Sequence, residues 1–130
     1  MVTVTPHATG HDGLGPLASR YVRVDELPWT PTKFPGIEIK VLMEDKETGL
    51  LTALTRLAPG AVLPLHEHAD LEQTFVLEGS LVDDEGEVTV GNYVWRPARS
   101  RHEARAPRGC LALSFFLSPN RFLDAGPRAG

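Results

Sequence analysis

Cysteine is nearly absent: Cys110 is the one thiol in 130 residues. No internal disulfide can form, and nothing in the thiol content points to an oxidising compartment. Cys110 stands in the apolar run CLALSFFL (110–117), where it is expected to pack as an inert, small hydrophobe. Long apolar runs are missing too. No stretch approaches the roughly 20 apolar residues of a membrane helix. The opening MVTVTPHATGHDGLGPLASR lacks the basic start and apolar stretch of a signal peptide. A cytoplasmic protein without membrane contact is the expectation. Positive charge is not in surplus, and the net −4 argues against general nucleic-acid binding, which needs concentrated Lys and Arg. The Arg-rich RPARSRHEARAPR (96–108) is a local exception. It lacks interleaved aromatics, which argues against single-stranded nucleic acid. That leaves an anion-binding rim or, favoured by acidic neighbours such as Glu103, a solvated face or dimer contact. No repeat of 20 to 50 residues occurs, and no segment sustains a helical period over three turns.

What is present is ordinary for one globular domain: 42% hydrophobic and 23% charged residues. Short β-rich pieces follow one another: YVRV (21–24), IEIKVLM (37–43), LLTALTRL (50–57), QTFVLEGSLV (73–82), EVTVGNYVW (87–95) and CLALSFFL (110–117). Several alternate apolar and polar residues, as in Ile37-Glu38-Ile39-Lys40-Val41. Turn chemistry separates them: EDKETG, APG, DDEG, PARS and APRG. Only residues 69–72 hint at a helical turn. The expected fold is an all-β sandwich or barrel whose closure removes vulnerable edges. Residues 1–19 read as a mobile arm in which His7 and His11 are solvated, 20–118 as the body, and 119–130 as a tail that frays at its end.

The chemistry concentrates in GAVLPLHEHADLEQTFVLEG (60–79). In an extended segment His66 and His68 project to one face, Cα atoms about 6.5–7 Å apart, while Glu67 faces away. Such imidazoles can converge on one ion at bonds of roughly 2.0–2.1 Å. Glu72 follows after a short turn that can bring its carboxylate to the same centre. His102 is the one remaining histidine of the body. It either stands opposite this cluster across a barrel or lies exposed in a basic loop.

Two stretches resemble the signatures of the cupin superfamily. The first has Gly60, five residues, His66-Glu67-His68, three residues, Glu72, six residues and Gly79; the second has Gly91, five residues, Pro97, and His102 five further on. Arg99 stands where a glycine is usual, implying a different turn. Ala106 replaces a frequent asparagine, removing a polar group near the site. The resemblance covers residues 20–118, including the short spacer between the signatures. It implies an all-β jelly-roll barrel of two antiparallel sheets, with His66, His68, Glu72 and His102 as ligands of one divalent metal. Iron(II) is the first expectation, with zinc, nickel or manganese as substitutes.

The stretches DELPWTPTKFPGIEIKVL, EQTFVLEGSLVDDEG and GNYVWRPARSRH are similar to a subgroup holding acetylacetone dioxygenase, 2,4'-dihydroxyacetophenone dioxygenase and the cupin domain of anti-sigma factors. This implies a non-haem dioxygenase cleaving a C–C bond in a small ketone or diketone, with dioxygen as co-substrate. The alternative is a non-catalytic, zinc-bound sensor of the anti-sigma type. Metal-free sugar-nucleotide epimerase chemistry is disfavoured by the complete ligand set. A homodimer is implied, with the arm crossing between subunits. Around the metal, Arg56, Gln73, Phe75, Tyr93, Trp95 and Phe115 are candidates for the substrate pocket, though core packing is the plainer role for Phe75, Trp95 and Phe115. Gln73 would normally point away from Glu72, and Arg56 also reads as a solvated strand end.

Overall fold

A computed structural model describes residues 3–123; the expected fraying at the chain's end falls outside them. Among the described residues the chain is nearly all strand: β1 (Thr3–Val4), β2 (Thr30–Pro31), β3 (Ile37–Asp45), β4 (Leu50–Leu57), β5 (Ala61–Glu67), β6 (Glu72–Val82), β7 (Glu87–Thr89), β8 (Tyr93–Arg96), β9 (Arg101–Ala106), β10 (Cys110–Phe116) and β11 (Arg121–Phe122). All pairings are antiparallel, in the order β1-β3-β4-β10-β6-β9-β5-β11, with β2 beside β3 and with β7 and β8 beside β6. This is the expected two-sheet barrel. The long β6 serves both sheets: its first half pairs with β8 and β10, and its end pairs with β7 and touches β9.

Four of the six expected strands form close to their expected limits. EVTVGNYVW divides into β7 and β8, because Gly91 adopts φ 80° and turns the chain between them. YVRV is not a strand: Tyr21 is 86% exposed and the stretch runs into a 3-10 turn at Val24–Glu26. The hinted helical turn at 69–72 is a bend leading into β6. The first residues of the arm return to the body, where Thr3 and Val4 pair with Asp45 and Glu44. Gly79 takes φ 71°, and a Cβ there would lie 2.0 Å from the Gly109 carbonyl oxygen. Only glycine fits where β6 crosses so close to the start of β10.

The barrel interior is apolar at one end and polar at the other. Ile37, Leu57, Val76, Val88, Ala106, Cys110 and Ala112 form the apolar cluster. Burial raises the Cys110 thiol to about 11, which keeps it protonated and unreactive, as expected. Two strands change character along their inward face. On β6, Glu72 and Thr74 give way to Val76; on β10, Ser114 gives way to Ala112 and Cys110. Sheet alternation puts the intervening residues outside. Phe75 (39% exposed), Tyr93 (49%), Trp95 (58%) and Phe115 (41%) therefore share the outer face of β10, β6 and β8. Over β3 and β4 that outer face is covered instead. Trp29 lies against Lys40 and Arg56, and Lys40 donates to the Val24 carbonyl at 2.9 Å.

Candidate metal centre

At the polar end, β5 and β9 run side by side with His66 directly opposite His102. His68 lies just past β5, held by two backbone hydrogen bonds to the turn before β9: its N–H donates to the Ser100 carbonyl, and its own carbonyl accepts from Arg99 N–H. The three rings form a nearly equilateral triangle, with centroids 4.5 Å (His66–His102), 4.9 Å (His66–His68) and 4.9 Å (His68–His102) apart. One ligand nitrogen from each lies within 4.8 Å of the others. His66 and His68 are completely buried. His102 is therefore inside the barrel and not in an exposed loop.

A different acceptor holds the Nδ1–H of each ring. His66 donates to the Pro64 carbonyl at 2.8 Å, His102 to Asp83 Oδ2 at 2.8 Å, and His68 to Asn120 Oδ1 at 3.1 Å. With Nδ1–H engaged in all three, the lone pair left on each ring is that of Nε2. Burial lowers the His66 pKa, opposed by the Pro64 hydrogen bond. Burial also takes His102 down to about 4, helped by the Arg96 guanidinium and the His66 ring. Both rings are therefore neutral near pH 7 and offer lone pairs. Asp83 is itself braced by Arg96 Nη1 at 2.8 Å. Burial works to raise its pKa, but the bond from His102 and the Arg96 charge outweigh it and hold the carboxyl below its ordinary value.

Glu72 enters from the start of β6. Its Oε2 accepts from Thr74 Oγ1 at 3.1 Å, and that hydroxyl also contacts Ser114 Oγ at 3.1 Å. Its Oε1 is 2.7 Å from His68 Nδ1, yet it has no hydrogen-bond partner, because that ring N–H is aimed at Asn120. Two buried polar atoms are left unsatisfied, His68 Nε2 and Glu72 Oε1, although the ligand atoms that converge within 4.8 Å are those of the three histidines, without Glu72. A buried donor set without partners is costly in an empty fold and is relieved by a cation. The residues present fit a divalent metal.

Glu67 does face away from the imidazoles. Its carboxylate is clamped by Arg101 Nε at 3.0 Å and Arg121 Nη2 at 2.9 Å. The Arg-rich stretch is not one surface: Arg96 turns inward to Asp83, Arg101 pairs with Glu67, and Arg105 lies near Asp84 and Glu103.

The candidate pocket residues do not gather around the histidines. Gln73, Phe75, Tyr93, Trp95 and Phe115 lie on the outer sheet face, where Tyr93 OH donates to Gln73 Oε1 at 2.7 Å. Arg56 is on the outside too, paired with Glu38 at 2.7 Å and stacked on Trp29. Strand alternation is the reason, since each stands an odd number of residues from an inward-facing neighbour. The residues that do surround the site include Asp83, read from sequence as turn chemistry, and Asn120 and Phe122, read as tail. Phe122 packs 5.2 Å from the His66 ring and 4.8 Å from Phe34. Only sheet pairing brings these residues in, so no local pattern marked them.

The model of the ChrR cupin-like domain family matches residues 17–118. No curated protein matches the chain. Among solved structures, a candidate acetylacetone dioxygenase from Methylibium petroleiphilum PM1 is 25% identical, with TM-score 0.77 over 89% of this chain and 90% of that one. Acetylacetone dioxygenase from Acinetobacter johnsonii is 22% identical, with TM-score 0.74 over 86% and 83%. The anti-sigma factor ChrR of Rhodobacter sphaeroides, solved in complex with SigE, is 23% identical, with TM-score 0.61 over 72% of this chain and 50% of that one.

Proposed function

The chain belongs to the ChrR cupin-like domain family, and on that footing we propose that it is a metal-dependent dioxygenase acting on a small ketone or diketone. The observation that carries this reading is the buried triangle of imidazoles together with the unpartnered Glu72 Oε1. His66, His68 and His102 would hold a divalent ion through Nε2, and Glu72 through Oε1; iron(II) is the metal we favour. When bound, the ion supplies Lewis acidity that lowers the pKa of an enolisable C–H, together with the redox chemistry that C–C cleavage by dioxygen requires.

The chain's own residues supply the rest. The Pro64 carbonyl, Asp83 and Asn120 fix the three ring orientations, which keeps lone pairs aimed at one point. Arg96 keeps Asp83 ionised, so that His102 remains a strong donor. Thr74 fixes one Glu72 oxygen and frees the other. Apolar neighbours such as Phe122 limit water at the His66 side. The similarity to acetylacetone dioxygenases supports the substrate class.

The similarity to ChrR supports a second reading, a zinc-bound sensor without catalysis, because four protein ligands would complete a tetrahedral zinc shell. Purification without chelators, metal analysis, and oxygen uptake after iron(II) loading with a panel of β-diketones distinguish the two. We expect uptake that depends on both iron and diketone. Stoichiometric zinc with no uptake under any metal would sink the dioxygenase in favour of the sensor. The assembly we propose is a homodimer.

A further inference from the structure

Three consecutive residues beyond the last long strand touch three consecutive residues of the histidine motif. Asn120 meets His68, Arg121 meets Glu67, and Phe122 meets His66. The register is that of an antiparallel pair, with Arg121 opposite Glu67 and Phe122 opposite His66, and it continues with Leu123 N–H donating to the Leu65 carbonyl. Residues 120–123 thus form a strap on the free edge of β5. It grips the outward carboxylate of the motif and lies against the inward rings on either side.

The three rings do not depend equally on it. Pro64, on the same strand, holds His66, and Asp83, from the turn between β6 and β7, holds His102. His68 stands past the end of β5, and Asn120 is its one hydrogen-bonded side-chain partner among the described residues. Glu72 Oε1 lies nearer, 2.7 Å from the same Nδ1 against 3.1 Å for Asn120 Oδ1, but makes no hydrogen bond to it. Without Asn120, the Nδ1–H would turn to Glu72, and two of the four metal donors would bond to each other. We propose that Asn120 is a positioning residue: it takes the His68 Nδ1–H in place of the nearer Glu72 Oε1, and so leaves Nε2 and Oε1 free for the metal. The inference rests on the metal reading given above, but its first test does not.

In the metal-free protein, long-range 1H–15N correlation of the imidazoles reads the tautomer and hydrogen bonding of His68 directly. Wild type should show Nδ1–H on His68. Asn120→Ala should shift the His68 signals, and Asn120→Asp, which keeps an acceptor oxygen, should restore them. Competition of Zn(II) or Co(II) against a chromogenic chelator then measures the consequence. Asn120→Ala should lose 10- to 100-fold in affinity, and Asn120→Asp should remain within a few-fold of wild type. Unchanged His68 signals together with unchanged affinity in Asn120→Ala would overturn the proposal. So would Asn120→Asp behaving like Asn120→Ala, since that makes the role one of packing. If wild type binds neither ion while His68 still responds to Asn120→Ala, the metal reading fails and the positioning of His68 stands.

Discussion

At the scale of single residues, the centre is unusual in what it buries. His66, His68, Glu67, Glu72, Asp83 and Arg96 all lie within the fold, although charged groups are rarely buried unless paired. The pairs account for most of them: Arg96 neutralises Asp83, and Arg101 and Arg121 neutralise Glu67. His66 and His102 instead avoid charge, and this has a measurable cost in acid. Between His102's ordinary pKa of 6.5 and its folded value of about 4, the unfolded chain takes up a proton that the folded chain refuses. Stability of the metal-free protein should therefore fall as pH drops through that window, by on the order of 3 kcal/mol from His102. His66, lowered for the same reason, adds to the loss. Below 3.8 a further loss begins, because Asp83 is depressed and favours the fold only while ionised. Urea midpoints at pH 7.5, 6.0 and 4.5 check this, and a flat series would contradict it.

At the scale of elements, alternation and turn residues made the long strands legible, because period two and turn chemistry are both local. The short strands were not legible. β1, β2 and β11 have two residues each and exist only because a longer neighbour offers an edge. The turn between β8 and β9 shows the limit of reading one position. Arg99 suggested a turn unlike the glycine form, yet it adopts φ 74°, the left-handed conformation glycine would supply, and its N–H still reaches the His68 carbonyl. Left-handed geometry costs an ordinary residue roughly 1–2 kcal/mol, of which glycine's extra unfolded freedom would return about 0.5–1. Arg99→Gly should therefore stabilise the fold by up to about 1 kcal/mol, seen as a higher thermal midpoint with unchanged metal stoichiometry. A lower midpoint would mean that the Arg99 side chain contributes more than its backbone strain removes.

At the scale of the whole molecule, the barrel keeps its polar cluster inside and an aromatic face outside. A solvated sheet face normally carries polar residues, but the outer side of β10, β6 and β8 presents Phe75, Leu77, Tyr93, Trp95 and Phe115, each at least 39% exposed. An aromatic side chain buries 150–250 Å² when fully covered, so this face has several hundred Å² to hide. That approaches the roughly 800 Å² per partner of a standard interface, and its centre is depleted of charge, as interface centres are. We therefore place the proposed dimer contact here. Light scattering should give about twice the 14.2 kDa chain mass, and Trp95→Glu should weaken association at least 10-fold. A wild-type monomer at tens of micromolar would rule this contact out.

By itself the sequence determined the β-rich architecture and the spacing of His66, His68, Glu72 and His102, because alternation, turn residues and motif distances are properties of neighbouring positions. Tertiary structure alone decided which side of the sheet each aromatic occupies and which residues orient the histidines. Asp83 comes from a hairpin turn and Asn120 from beyond the last long strand, 19 and 52 residues from the rings they hold. Pairing across a barrel brings such residues together, and no local period records it.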